Sequence, residues 1–119
     1  MPSNDPAQRF EDILTNIQRI EFHIARITDE TAFEENATVY DAIERCLERI
    51  SEPASKLSAE AESLCPEIPW ARIRGLGNVP RHEYDRVEGA RIWYTIKDDL
   101  PPLKTASERV LRTLRERQK

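Results

Sequence analysis

Long apolar runs are missing from this sequence, and so are most of the residues that build special sites. No stretch approaches the roughly 20 consecutive apolar residues that a membrane-spanning helix needs, so no membrane partner is expected. The opening Met1-Pro-Ser-Asn-Asp-Pro6 lacks the charged and apolar regions of a signal peptide. Cysteine occurs only as Cys46 and Cys65. That is too few for a disulfide framework, and neither has the CxxC or Cys/His spacing that holds zinc. The simple account is a cytoplasmic protein with two reduced thiols, no metal and no cofactor. Cys46 falls on an apolar helical face and reads as core.

What is present points to helices. The chain has 119 residues, of which 34% are charged, and large apolar residues recur at helical spacing. One all-α domain over residues 1–119 with a modest core follows. The net charge of −4 hides a polarity: residues 1–70 carry 6 basic and 15 acidic groups, and residues 71–119 carry 12 and 7. Either these are two solvated helix surfaces, or the C-terminal part alone can meet phosphates.

Asp5-Pro6-x-Gln8 is a helix start, with an N-cap acceptor, proline at the first position and Gln8 where a capping box closes. Phe10, Ile13, Leu14, Ile17, Ile20, Ile24 and Ile27 follow the 3.6 period and predict a first helix over about residues 6–28. His23 lies beside this stripe and reads as a boundary residue rather than a ligand, having no second ligand type at i±4. Thr31 and Thr38 are both plausible caps for a second helix, whose stripe runs from Val39 through Ile43, Leu47, Ile50 and Ala54 to Leu64. Pro53 should kink that helix near residues 49–53 rather than break it. A short third helix starts at Pro69, made irregular by Gly75, Gly77 and Pro80. A fourth begins near Glu88, and Pro101-Pro102 bend it or restart it at Pro101. The basic tail after Leu114 should fray.

Chemistry concentrates in Arg74–Val87. This segment holds one of the 2 histidines, 2 of the 3 glycines, and Arg74, Arg81, Arg86, Asn78 and Tyr84. A helical domain gains nothing structurally from such crowding, and local rules are usually broken where a site needs it. If residues 74–82 were helical, Arg74, Asn78 and His82 would stack on one face. Arginine can neutralise a phosphodiester in bidentate fashion. Histidine, with an ordinary pKa of about 6.5, can take or give a proton near neutrality. Such a set can cleave RNA without a metal: a base activates the 2′-hydroxyl and an acid protonates the leaving 5′ oxygen. One histidine fills one role, which makes a symmetric dimeric site attractive. The bland readings are a helix-terminal His82 favoured by the helix dipole and a half-buried Tyr84 with its hydroxyl wet. Tyr84 would point about 200° from His82 on a regular helix.

These residues resemble a family over nearly the whole chain. The Phe10–Ile27 helix, Val39-x-x-Ala-Ile-Glu-Arg-x-Leu-Glu-Arg-Ile-Ser-Glu-x-Ala-x-Lys-Leu57, Ile68-Pro-Trp70, Asn78 to Tyr84, and Ile92-Trp93 to Asp99-Leu-Pro101 are similar to HepT-like proteins of the HEPN superfamily (higher eukaryotes and prokaryotes nucleotide-binding). The resemblance implies an all-α HEPN-type bundle of four to five up-and-down helices, paired as a homodimer with both sites in a shared cleft. It implies a metal-independent endoribonuclease acting as the toxin of a toxin–antitoxin pair. Its partner would be an MNT-type nucleotidyltransferase that neutralises it by adenylylating the motif tyrosine. The family motif is arginine, a polar residue, three residues, histidine, any residue, tyrosine. Asn78, His82 and Tyr84 match it, and Gly77 stands where the arginine belongs. Arg74 and Arg81 are the candidates to replace that guanidinium, with Arg74 favoured by its face, and Arg81 and Arg86 are candidate phosphate contacts. Pro80 also falls inside the motif.

Three functions are compatible with the sequence: a ribonuclease toxin with His82, Arg74 and Asn78 catalytic and Tyr84 the modification site; a catalytically silent HEPN protein that binds nucleotide or RNA, or serves as substrate and partner of the nucleotidyltransferase; and a bare helical dimerisation module. Gly77 favours the second, and the intact Asn-x-x-x-His-x-Tyr favours the first two over the third.

Overall fold

The computed structural model describes residues 5–77 and 86–118, with the backbone alone at Arg86 and Val87. Among these residues all regular structure is helical, in the order α1 Pro6–Ile24, α2 Glu30–Glu35, α3 Ala37–Ser55, α4 Ala59–Glu62, α5 Trp70–Arg74, a 3-10 turn Gly75–Gly77, α6 Arg86–Tyr94, a π turn Thr95–Asp99 and α7 Leu100–Arg117. The fold is an all-α bundle.

Capping chemistry decides where these helices begin. Asp5 accepts from the Ala7 N–H at 3.0 Å with Pro6 in the first position, as the sequence predicts. The Gln8 side-chain amide, however, donates forward to Asp12 at 2.9 Å. The next two caps are Asp29, accepting from the Ala32 N–H, and Asn36, accepting from the Val39 N–H. Thr31 and Thr38 are not the caps; each is the second residue of a helix started by a better acceptor. Asp29 also explains why α1 stops at Ile24 rather than near residue 28. Its extended backbone must precede α2, so residues 25–28 turn. Ile27 still packs against the core from that turn, which is how the apolar period outran the helix.

The expected long second helix is divided. Pro53 sits inside the last turn of α3, which ends at Ser55. The chain breaks at residues 56–58, where Ser58 turns extended and accepts from the Ala61 N–H to start α4. At Pro101-Pro102 the helix restarts, at Leu100. Prolines at 101 and 102 have no N–H to return to the carbonyls one turn back. The preceding turn widens into the π form, with the Leu100 N–H reaching Thr95 O. α7 then runs to Arg117 instead of fraying after Leu114, and Arg115 pairs with Glu11 across to α1.

Ion pairs and grooves give the helix directions. Glu21 pairs with Lys104 and Glu11 with Arg115, so α1 and α7 are antiparallel. Pro6 and Arg9 at the start of α1 share a groove with Lys56 and Leu57 just past the end of α3, so α1 is antiparallel to α3 as well. The 9, 5 and 18 residues of α6, the π turn and α7 form one helical run. At about 1.5 Å per residue this run accounts for the 47 Å long dimension.

The core takes Phe10, Ile13, Ile17 and Ile20 from α1, Ile43, Leu47, Ile50 and Cys46 from α3, and Leu103, Val110 and Leu111 from α7. Two aromatic clusters pin the short elements. Phe33 stacks on Tyr40 and meets Trp93, holding α2 against α6. Trp70 meets Phe10 edge-on and donates its indole N–H to the Cys65 carbonyl, holding α5 against α1. No helix among the described residues is long and apolar enough to cross a membrane.

Candidate functional site

The segment leading into the motif is fixed from below by three apolar residues. Trp70, Ile73 and Leu76 are buried, so α5 and the 3-10 turn lie on the core and present Arg72 and Arg74 outward. Arg72 reaches Asp99 in the π turn at 2.8 Å, tying α5 to the start of α7. Arg74 turns its guanidinium to Glu62 on α4. Its carbonyl, at the α5 C-terminus, accepts from the Ser51 hydroxyl on α3 at 2.6 Å.

Of the sequence-designated site residues, the structure describes Arg74 fully. Arg86 opens α6, and Asn78, Arg81, His82 and Tyr84 lie outside the described residues. The α-helical register that would stack Arg74 below residues 78 and 82 is interrupted. The α-helix ends at Arg74, and Gly75–Gly77 winds as a 3-10 turn, advancing about 120° per residue rather than 100°. Two glycines make this tightening cheap, because they hold an α-helix poorly.

Gly77 is more than the loss of an arginine. A Cβ at this position would stand 3.3 Å from Ser51 Oγ, 3.4 Å from Ser51 Cβ and 3.5 Å from Glu48 Cα. The backbone at 77 therefore lies directly on one turn of α3. On the far side of the motif, Gly89 in α6 makes a still closer approach to the Glu34 side chain, where a Cβ would meet Glu34 Cγ at 2.6 Å. The motif is flanked by two glycine contacts, one on α3 and one on α2. Helical periodicity pointed to neither Ser51 nor Glu62. The signal that could have found Ser51 is Gly77 itself, because a glycine replacing a bulky residue marks close backbone approach.

Both thiols are buried as core. Burial holds the Cys46 thiol above its ordinary pKa, and burial, helped by nearby Glu67, pushes Cys65 up to about 11. Neither is a nucleophile at neutral pH. His23 is half-buried in the last turn of α1, edge-on to Phe22. Among the described residues no group of three His, Cys, Asp or Glu side chains is placed to hold a metal ion. A cavity of about 400 Å³ lies between α1 and α7, floored by Ile17, Ile20, Ile96 and Leu100 with Lys97 and Lys104 at its rim.

Comparison with known proteins agrees with this architecture. The family described as Ribonuclease HepT-like matches residues 13–110. The chain is 32% identical over 100 residues to the Thermococcus cleftensis protein named "Probable ribonuclease HepT", covering 84% of this chain and 90% of that one. It is 28% identical over 117 residues to the Methanocaldococcus jannaschii protein named "Putative RNase MJ0125", covering 98% and 100%. No solved structure matches it. With a family match across most of its length and relatives aligned nearly end to end, the chain belongs to the HepT-like ribonuclease family of HEPN proteins.

Proposed function

We propose that this chain is a metal-independent endoribonuclease, the toxin of a toxin–antitoxin pair, working as a homodimer. The observation that carries the reading is Asn78-x-x-x-His82-x-Tyr84 in a chain of the HepT-like family. In this reading His82 takes the proton of a 2′-hydroxyl. The 2′ oxygen bonds to phosphorus, the bond to the 5′ oxygen breaks, and that oxygen takes a proton from the His82 of a second copy. The products are a 2′,3′-cyclic phosphate and a 5′-hydroxyl. Asn78 and Arg74 hold the non-bridging oxygens, with Arg81 and Arg86 on flanking phosphates. Arg74 must exchange Glu62 for phosphate to do so, since Glu62 holds it in the free protein. An MNT-type nucleotidyltransferase restrains the toxin by transferring AMP from ATP to the Tyr84 hydroxyl, releasing pyrophosphate.

The test is cleavage of single-stranded RNA by purified protein in excess EDTA. Wild type should cleave and His82→Ala should not. An active His82→Ala protein refutes the assignment. Gly77 supports a second reading, a silent HEPN partner of the nucleotidyltransferase. Its backbone is pressed against α3 and offers phosphate no guanidinium. Intact mass after co-expression with an MNT-type nucleotidyltransferase, in wild type and Tyr84→Phe, tests the modification that both readings share.

A further inference from the structure

We infer that Ser51 is a positioning residue for the motif that begins at Asn78, an inference that rests on the ribonuclease reading for its kinetic consequence. Two independent contacts converge on this side chain. Its hydroxyl donates to the Arg74 carbonyl at 2.6 Å, across 23 residues of sequence. The bare Gly77 backbone lies against the same hydroxyl and its Cβ, at 3.3 and 3.4 Å from where a Cβ would be. The first contact is made to the carbonyl where α5 gives way to the 3-10 turn. The second sets how near to α3 the chain runs in the last residue before Asn78. Neither contact is needed to hold the bundle. α5 is already anchored by buried Trp70 and Ile73, and the turn by Leu76. What Ser51 adds is the height and phase of the backbone at residues 74–77.

The chain also supplies a clean reporter. His82 and His23 are its only 2 histidines, and His23 lies at the end of α1. The experiment measures kcat and KM for RNA cleavage, together with the imidazole C–H resonances and their pH titration. It compares wild type, Ser51→Ala and Ser51→Thr, with His82→Ala as the blank. Ser51→Ala should lower kcat on the order of tenfold, a fraction of what a 1 Å misplacement can cost, with KM within about twofold. Its His82 resonance should move while His23 stays. Ser51→Thr keeps the donor and should restore both. Wild-type kcat in Ser51→Ala, or an unmoved His82 resonance, overturns the inference. If wild type itself cleaves nothing, the ribonuclease reading fails separately. The resonances alone then decide: a His82 shift in Ser51→Ala that Ser51→Thr reverses sustains the positioning role, and its absence refutes it.

Discussion

At residue scale the decisive pair is Gly77 and Ser51. Ser51 cannot rotate away from a new Cβ without giving up its bond to the Arg74 carbonyl, and such a bond is worth about 1 kcal/mol. Gly77→Ala should therefore cost about 1 kcal/mol in wild type. In a Ser51→Ala background it should be neutral or stabilising, since alanine restricts the unfolded chain. A double-mutant cycle by urea denaturation reads the coupling, and strict additivity would show that the contact carries no strain. Gly77→Arg, which restores the family pattern, meets the same crowding and should need Ser51→Ala beside it. Arg74 gives a second prediction. If it serves phosphate, Arg74→Ala should lower RNA cleavage on the order of 10²-fold, and Glu62→Gln should raise RNA affinity by freeing the guanidinium. Unchanged cleavage in Arg74→Ala would leave the missing arginine unreplaced. The sequence could nominate Arg74 from its helical phase. It could not show that Glu62, twelve residues earlier, already held it, because that pairing exists only once α4 and α5 fold onto each other.

At element scale the sequence was legible where one period rules a helix and illegible where two caps compete. The stripe from Phe10 to Ile20 and the one from Ile43 to Ala54 are buried as their spacing requires. The breaks at 25–28 and 56–58 went unread because apolar residues continue through them: Ile27 and Leu57 pack on the core from turns. The cross-element tie Arg72–Asp99 gives an asymmetric prediction. The Asp99 side chain is 5% exposed and Arg72 56%. Arg72→Ala strands a buried carboxylate and should cost about 1–2 kcal/mol, whereas Asp99→Asn, leaving a solvated guanidinium, should cost less. Thermal unfolding at pH 7 distinguishes them, and equal losses would deny that Asp99 burial matters. The α4–α5 turn gives a pH prediction. Cys65 titrates near 11 when folded, above the thiol value of 9.0. The folded state holds this proton longer, so its contribution is complete below pH 9 and falls as pH rises from 9 to 11. Alkaline destabilisation in that window should be shallower in Cys65→Ala, and an equally steep profile would assign it to other groups.

At the scale of the whole molecule, the acidic first part and basic second part do not stay apart. Glu11, Glu21, Glu62 and Glu67 pair with Arg115, Lys104, Arg74 and Arg109. Arg72 and Arg91 are taken by Asp99 and Glu88 within the basic part. Folding thus spends much of the positive charge that composition offers to phosphates. The pairing of Lys104 with Glu21 holds that ammonium above its ordinary pKa, and the hydrogen bond from Arg109 holds Glu67 below its own. Both pairs are exposed, so neither should contribute measurable stability, and the melting temperature should scarcely move between 0.1 and 1 M salt. RNA binding gives the sharper test. Each single-strand phosphate neutralised contributes about −0.7 to the slope of log affinity against log salt. Were all 12 basic groups of residues 71–119 engaged, the slope would approach about −8 per protomer. With Arg74 exchanging Glu62 for phosphate and five others held by carboxylates among the described residues, it should be no steeper than about −5. Glu67→Gln, releasing Arg109, should steepen it by about 0.7. A wild-type slope near −8 would mean that RNA displaces the internal carboxylates wholesale, and the folded ion pairs would then be no guide to the surface that RNA meets.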